Sequence, residues 1–441
     1  MILKNHRKHD GDLSMRILVV SCSPWRKDNN IGNTYTNIFS GIDNIEIAHI
    51  CCGGGRPDTD FVKYHLHISE INILKNLINP KYKCCHRFPY SKEELKNPVG
   101  RSKVYDFMRT HRFKLFFLLR DLIWIFKNWI CDDLKNFVDD FKPDIIFAQF
   151  LDRDYLNEML LFLKDYTKVP LIVYAWDDVY TLMQFSLSPI FWINRFLQRR
   201  KLRKIAKLSS LMYVISEKQK KEYSKAFGSS CKILYKGFEF HKKPIYEIKN
   251  EPLKLIFSGN IGSGRYKTLA LIGSALDEIN KDNIRAVLYI YTSTPFSYKM
   301  KKKLDYPGSI HIMKFVSSEE IAMIQQEADI LIHAESFSLA ERLKVRLSFS
   351  TKLVDYFKSG RCILAVGSRN IASIDYLSKN HGAVIAYKKS DIAYVLNRLI
   401  SSPNLRKKYA RRAWECGQNN HQIRIMQNTL QNDLNYVLHE K

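Results

Sequence analysis

Short uninterrupted apolar runs alternate along the chain with longer stretches whose apolar positions recur every three to four residues. The first run, Arg16–Ser21 (RILVVS), suits a strand buried on both faces. A loop, Cys22–Asn30, then Ile31-Gly32-Asn33-Thr34, leads into a helical pattern. Residues 56–110 are polar and irregular and predict no element. Helical periodicity runs through 112–141, and Lys142-Pro143-Asp144 then introduces a second strand, IIFAQF. A helix over Tyr155–Tyr166 precedes a third strand, Val169–Ala175. Further along, the pattern predicts a helix near 190–208, a strand at Leu211–Ile215 and a helix at Glu217–Phe227 stopped by Gly228. A short strand at Lys232–Tyr235 follows.

A linker, Phe240–Pro252, separates this set from a second one. Leu253–Phe257, Arg285–Tyr291, Ile310–Met313, Ile330–His333 and Cys362–Val366 read as strands. Helices are predicted near 267–279, at Glu319–Ala328 and at Thr351–Lys358, with a helix-rich tail from about 390. Two successive sets of alternating strands and helices imply an α/β chain with two doubly wound parallel-sheet, Rossmann-like domains facing a cleft. The expected division is a tail or mis-assigned start at 1–14, an acceptor-side domain at 15–240 and a linker at 241–252. A ligand-binding domain at 253–415 and a C-terminal helix at 416–441, returning to the first domain, complete it.

Composition narrows the classes. The chain has 441 residues, 46% of them hydrophobic, with 18 Gly and 13 Pro, which excludes collagen-like and disordered types. Nine cysteines without a CxxC pair argue against a zinc site or a disulfide scaffold and for a reducing compartment, the cytosol. Residues 1–14 lack the apolar core of a secretory leader. The most apolar stretch, Phe113–Ile130, is interrupted by Lys114, Arg120, Asp121 and Lys127, so no membrane span is expected. Seventy Lys and Arg against 44 Asp and Glu give a net charge of +26. That balance favours a polyanionic neighbour. No nucleic-acid motif accompanies it, so an anionic membrane surface is the expected partner class. Pro189–Lys207 sets Phe191, Trp192, Phe196 and Leu197 among Arg195, Arg199, Arg200, Lys201, Arg203 and Lys204, and 113–130 is a second basic aromatic segment. A helix packed on a core with a charged outer face accounts for the same pattern.

Three constellations carry candidate chemistry. The turn Ser258–Gly264 lies between a strand and a helix, and Gly262 and Gly264 allow close approach of backbone to an anion at the helix start. Arg265 and Lys267 stand at its rim. In the second, Ser350 or Thr351 caps a helix whose first turn holds Lys352, a placement the helix dipole disfavours unless an anion binds there. Asp355 is one turn on, where a carboxylate can accept from ribose hydroxyls. The third is His333-Ala334-Glu335-Ser336 at a strand end. Trp176-Asp177-Asp178 ends a strand in the first half, and its two carboxylates suit binding of hydroxyls, a metal, a proton-transfer role or helix capping.

Together IFSGNIGSGR, ADILIHAESF, SFSTKLVDYFKSGRCILAVGS and ASIDYL resemble the C-terminal half of GT-B glycosyltransferases of the family 4 type found in bacterial polysaccharide clusters. KPDIIFAQF and VPLIVYAWDD fit the first half of the same fold. The resemblance implies transfer of a hexosyl group, with retention, from a nucleotide-sugar to an oligosaccharide or lipid-linked acceptor, without cofactor or essential metal. It implies a cytoplasmic enzyme, peripheral on the inner membrane face. Donor contacts fall to Gly262, Gly264, Arg265, Ser350, Thr351, Lys352 and Asp355, catalytic roles to Glu335, Asp177 and Asp178, and the acceptor or cleft loop to Gly32 and Asn33. Three departures stand out: the position eight before Asp355 is Leu347 where the family carries Glu, Trp176-Asp177-Asp178 stands where it carries a catalytic His, and Asn260 stands where Arg is more common. A nucleotide-sugar epimerase and an inactive GT-B-like partner subunit are the alternatives.

Overall fold

The computed structural model describes residues 14–27, 30–53, 57–59, 61–89, 123–240, 244–246 and 250–439. Residues 1–13 of the expected tail, the 113–122 part of the basic aromatic segment and parts of the 241–252 linker lie outside the described residues. Two sheets organise the chain, as the alternating pattern predicts. The first has eight strands: β1 (Met15–Ser21), β2 (Ile45–Cys51), β3 (Tyr64–Ile68), β4 (Cys85–Pro89), β5 (Ile145–Gln149), β6 (Leu171–Ala175), β7 (Leu211–Val214) and β8 (Cys231–Ile233). Their order is β4-β3-β2-β1-β5-β6-β7-β8. β1 pairs in parallel with β2 and β5, Ile17 lying opposite Ile47 and Ile145, while β4 is an antiparallel edge on β3.

The second sheet has six parallel strands: β9 (Leu253–Ser258), β10 (Ala286–Tyr291), β11 (Ile310–Met313), β12 (Ile330–Ala334), β13 (Cys362–Val366) and β14 (Val384–Ala386). They run β11-β10-β9-β12-β13-β14. Both faces are covered, so successive side chains enter opposite cores. Ile330, Ile332 and Ala334 of β12 pack with the Arg265–Ile279 and Asp391–Ser401 helices. Leu331 packs on the other face with the Lys352–Ser359, Ala372–Lys379 and Pro403–Asn420 helices. The chain divides into two compact units, Met1–Tyr174 with Lys201–Leu211 and Gln427–Lys441, and Ala175–Arg200 with Met212–Met426. Among the described residues no helix is long and apolar enough to cross a membrane.

The polar region 56–110 proves partly regular: β3, the Glu70–Ile78 helix and β4 lie within it. β3 reads Tyr-His-Leu-His-Ile, so its buried positions include His65 rather than an aliphatic residue, which hides the strand pattern. A buried relay accommodates it. Ser21 Oγ donates to Ser23 O (2.7 Å), so it accepts from His49 Nε2 (2.8 Å). That leaves His49 Nδ1 to accept from His65 Nδ1 at 3.1 Å. Burial pushes the His49 imidazole down to about 3, and His333 and His421 in the other unit down to about 4.

These histidines fix a pH dependence. Unfolded, each would titrate near 6.5, so between that value and its folded pKa the unfolded chain binds more protons. Their contribution to stability is complete above about pH 6.5 and falls as pH drops, by up to about 1.4 kcal/mol per pH unit for each. Urea unfolding at a series of pH values should show this decline, shallower in His49→Gln. An unfolding free energy that stays flat from about pH 7 to pH 5 would overturn it.

Candidate functional site

Strand order places the candidate site. In the second sheet the chain steps outward from β9 through β10 to β11, then returns to β12 on the other side. Ligands of such sheets bind beyond the carboxyl ends of the two strands where the order reverses, here Ser258 of β9 and Ala334 of β12. The glycine-rich turn leaves the first and Glu335 follows the second. A Cβ on Gly259 would lie 2.7 Å from the Lys352 ammonium, so a side chain there would displace the cation. Gly264 precedes the Arg265–Ile279 helix with φ 75°, and a Cβ there would meet Ser336 Oγ at 2.5 Å. Asn260 Oδ1 accepts from Gly262 N (2.6 Å) and Thr294 Oγ1 (3.1 Å), which shapes the turn between them.

Arg265 opens the helix and its guanidinium grips the Glu335 carboxylate at two points, Nε to Oε2 at 3.0 Å and Nη2 to Oε1 at 3.1 Å. Glu335 is 4% exposed and locked from both sides: its N–H donates to Val366 O (2.8 Å) and its carbonyl accepts from Thr268 Oγ1 (2.8 Å). His333 Nε2 lies 3.7 Å from that carboxylate and 3.1 Å from Ser373 Oγ. Lys352 opens a second helix, Lys352–Ser359, and its Nζ donates to Ser258 O at 3.1 Å. Burial pushes this ammonium down to about 8, an effect Asp355 opposes and the nearby Arg265 reinforces. Two neighbouring cations thus stand at two helix starts, where the backbone dipole favours anions.

Tyr356 of the same helix joins both strand ends, donating to Ile332 O (3.2 Å) while accepting from Ser258 N (3.3 Å). Asp355 is paired with Lys236 Nζ at 3.2 Å. Thr351 is the N-cap position, but its hydroxyl makes no capping bond, and Ser350 contributes its carbonyl to Leu353 N (3.0 Å). His421 supports the loop before it: the ring stacks on Phe349, Nδ1 donates to Lys236 O (3.3 Å) and Nε2 accepts from Tyr376 Oη (3.0 Å).

The same unit brings Asp177 and Asp178 to this loop. Ser348 Oγ donates to Asp177 Oδ1 at 2.6 Å. The Asp178 carboxylate is surrounded by the Tyr180 and Thr181 amides, the Thr181 hydroxyl, Arg195 at 3.7 Å and Arg346 at 3.5 Å. Arg346 also grips both oxygens of Glu222. Leu347 is buried, and its carbonyl accepts from Ser216 Oγ (2.7 Å). Gly32 and Asn33, in the other unit, lie inside the Asn30–Phe39 helix and not in a loop ahead of it; Gly32 packs on the backbone of Arg26. Lys236, Glu222, Arg346 and Glu341, whose Cγ methylene borders Gly264, carry no signal that marks them in the sequence, save for Lys236 a lone Lys-Gly at a strand end.

No protein-family model matches the chain, and no curated protein matches it in sequence. Solved structures do. HepE from Anabaena, in complex with UDP and glucose, superposes with a TM-score of 0.61 at 11% identity over 96% of this chain and 100% of that one. Sucrose-phosphate synthase from Thermosynechococcus elongatus gives 0.63 at 9%, covering 97% and 100%. WaaG, a glycosyltransferase involved in lipopolysaccharide biosynthesis, gives 0.57 at 10%, covering 95% and 99%. The chain has the GT-B glycosyltransferase fold.

Breaking the Arg346 network tests its structural weight. Arg346→Met leaves Asp178 with Arg195 and strips Glu222 of its partner. The unfolding free energy should fall by about 1–2 kcal/mol, between an exposed and a buried pair, since Glu222 is about a third exposed and Asp178 keeps Arg195. A loss under about 1 kcal/mol in denaturant titration would mean the network is an exposed-type pair of little weight.

Proposed function

We propose that this chain is a hexosyltransferase that moves a sugar from a nucleoside-diphosphate sugar to a saccharide acceptor carried on a lipid, at the cytoplasmic face of a membrane. The observation that carries this reading is the pair of cations, Arg265 and Lys352, at two helix starts beside one glycine-rich turn. A diphosphate supplies the negative charge that both helix dipoles and both side chains favour. HepE and WaaG support it as carriers of the same fold, one in complex with UDP and glucose and one a lipopolysaccharide glycosyltransferase.

In the proposed step the bond between the sugar C1 and the β-phosphate oxygen breaks, and the nucleoside diphosphate leaves with the electron pair. The acceptor hydroxyl oxygen bonds to C1, and its proton passes to the departing phosphate, so configuration is retained. Arg265, Lys352, the Thr351 end of the helix and the Gly262–Gly264 backbone would meet the charge as it develops. Glu335 holds the Arg265 guanidinium in place and is the carboxylate nearest that charge. Asp355 with Lys236 would address the ribose, and Ser350 the phosphates. Asp177, engaged by one hydroxyl, keeps an oxygen for an acceptor group, whereas Asp178 holds its own loop. Gly32 and Asn33 would serve the acceptor side.

A melting-temperature screen against UDP, GDP, ADP, CMP and their sugar conjugates tests the donor. One nucleotide class should raise the melting temperature. Arg265→Ala and Lys352→Ala should each lower turnover by about two to three orders of magnitude while the protein stays folded. Full turnover and donor affinity in both variants would overturn the reading. Folded protein that no nucleotide stabilises would favour an inactive partner subunit, for which Leu347 in place of the family's Glu already speaks.

Lys352 also sets a pH limit. Above about pH 8 the free ammonium loses its proton. Nucleotide affinity should therefore fall as pH rises through 8, by no more than about tenfold per pH unit for one proton. Lys352→Arg should flatten that fall. Equal affinity at about pH 7 and pH 9.5 in the unaltered protein would refute the role given to this side chain.

A further inference from the structure

The first sheet ends at β4, its antiparallel edge, and that strand is held along one helix, Asp132–Phe141. Contacts step along both elements. Lys83 Nζ, just ahead of the strand, lies 3.6 Å from Asp133. Arg87 lies over the Phe137 ring and donates to Asp140 at 2.7 Å. Between them two thiols meet. Cys85 is the first residue of the strand and Cys131 the N-cap residue of the helix, and their sulfurs are 3.2 Å apart. The pair is separated by 46 positions along the chain, so no CxxC spacing marks it in the sequence. All of these residues belong to one compact unit.

The two thiols differ in their surroundings. Cys85 is buried, whereas Cys131 is half-exposed. Cys131 also stands at a helix start, where the backbone favours negative charge. The hydrogen bond from Cys85 pulls the Cys131 thiol down to about 6, helped by the Leu134 amide and opposed by burial. The same contact, with burial, pushes Cys85 up, so Cys85 keeps its proton and donates. Burial likewise raises the adjacent Cys84, to about 11. At neutral pH solvent therefore meets a thiolate at Cys131, with a covered thiol directly behind it. That is the arrangement of an attacking cysteine and a resolving one.

We propose that Cys85 and Cys131 form a reversible disulfide, a redox-sensitive clamp between the sheet edge and this helix. The oxidant is a small disulfide of the oxidised glutathione class. The Cys131 thiolate attacks one of its sulfurs, the small S–S bond breaks, and one small thiolate leaves. Cys85 then gives up its proton and attacks the Cys131 sulfur of the mixed disulfide, and the second small thiolate leaves. The two cysteines lose two electrons, the small disulfide gains them, and the Cys85 proton ends on a released thiol. Closing the sulfurs from 3.2 Å to a bonding distance of about 2.05 Å takes a shift of about 1 Å. The bond would join the outermost strand to the helix that leads into β5, which pairs with β1. In a reducing compartment such a bond is transient and reports oxidation rather than serving as a permanent staple. The proposal stands on this thiol pair and not on the transferase reading.

Incubation of the full chain with oxidised glutathione at about pH 7, followed by acid quench, alkylation and peptide mapping, tests it. A Cys85–Cys131 linked peptide should form and dithiothreitol should reverse it, with fragmentation between Cys84 and Cys85 showing which of the two neighbours is bonded. The oxidised protein should melt at a higher temperature than the reduced one, since the bond closes a long loop. Cys131→Ser should lose both the linked peptide and the melting shift. Cys85→Ala should hold glutathione on Cys131 as a mixed disulfide, which the unaltered protein passes through without accumulating. Cys131 is half-exposed, so Cys131→Ser carries the test alone if the buried substitution does not fold. Recovery of both thiols alkylated after oxidised glutathione overturns the proposal. So does a Cys84–Cys131 bond or a persistent mixed disulfide in the unaltered protein, or an oxidised form that melts no higher than the reduced one.

Discussion

Two helices of this protein begin with a cation, and that is the electrostatic cost around which the candidate site is built. A helix start already carries partial positive charge, so Arg265 and Lys352 each raise the local potential. The chain offsets only one of them fully. Glu335, buried and fixed by bonds to Val366 and Thr268, takes both points of the Arg265 fork. Lys352 has a carbonyl, Ser258 O, and a more distant carboxylate. Burial lowers its affinity for a proton, Asp355 opposes that and Arg265 adds to it. Both helix starts and both side chains favour an anion at this place.

The packing beneath serves the same constraint. A short helix opening with a half-buried lysine needs its loop fixed from several sides. Tyr356 ties it to β9 and β12, and the His421 ring, with Phe349 stacked on it, forms its floor. His421 can do this only as a neutral ring, donating at Nδ1 to a carbonyl and accepting at Nε2 from Tyr376. Burial enforces that tautomer and neutrality together. The His49–His65 relay under β1 and β3 follows the same logic in the other unit: both ring nitrogens of His49 are hydrogen-bonded, so a polar side chain occupies a core position without charge.

How much of this the sequence disclosed depended on whether the signal was local. β1, β5, β6, β9 and β13 announce themselves as apolar runs because parallel strands are buried on both faces. The turn at Ser258–Gly264 and the lysine in a first turn are local anomalies too, and the structure sets them side by side. β3 stayed hidden because a buried histidine reads as polar until its partner on β2 is known. Lys236, Glu222 and Arg346 stayed hidden because their partners lie more than 100 positions away along the chain. The helix at 189–208 was legible as an element but not as a surface. Its expected apolar face included Trp192, which instead turns inward to Ser186, while Ile190 and Ile193 take the outer line.

The first half of that helix is linked by hydrogen bonds and ion pairs to the loop ahead of Lys352. Arg195 and Arg199 of the helix hold the carbonyls of residues 178 to 181. Asp178, at the head of that segment, meets Arg195 on one side and Arg346 on the other. Arg346 is followed by buried Leu347, by Ser348 on Asp177, and by the loop that starts the Lys352 helix. Each link is a charged or multiply bonded group, so Arg195 and Arg199 are tied through Asp178 and Arg346 to the loop that starts the Lys352 helix.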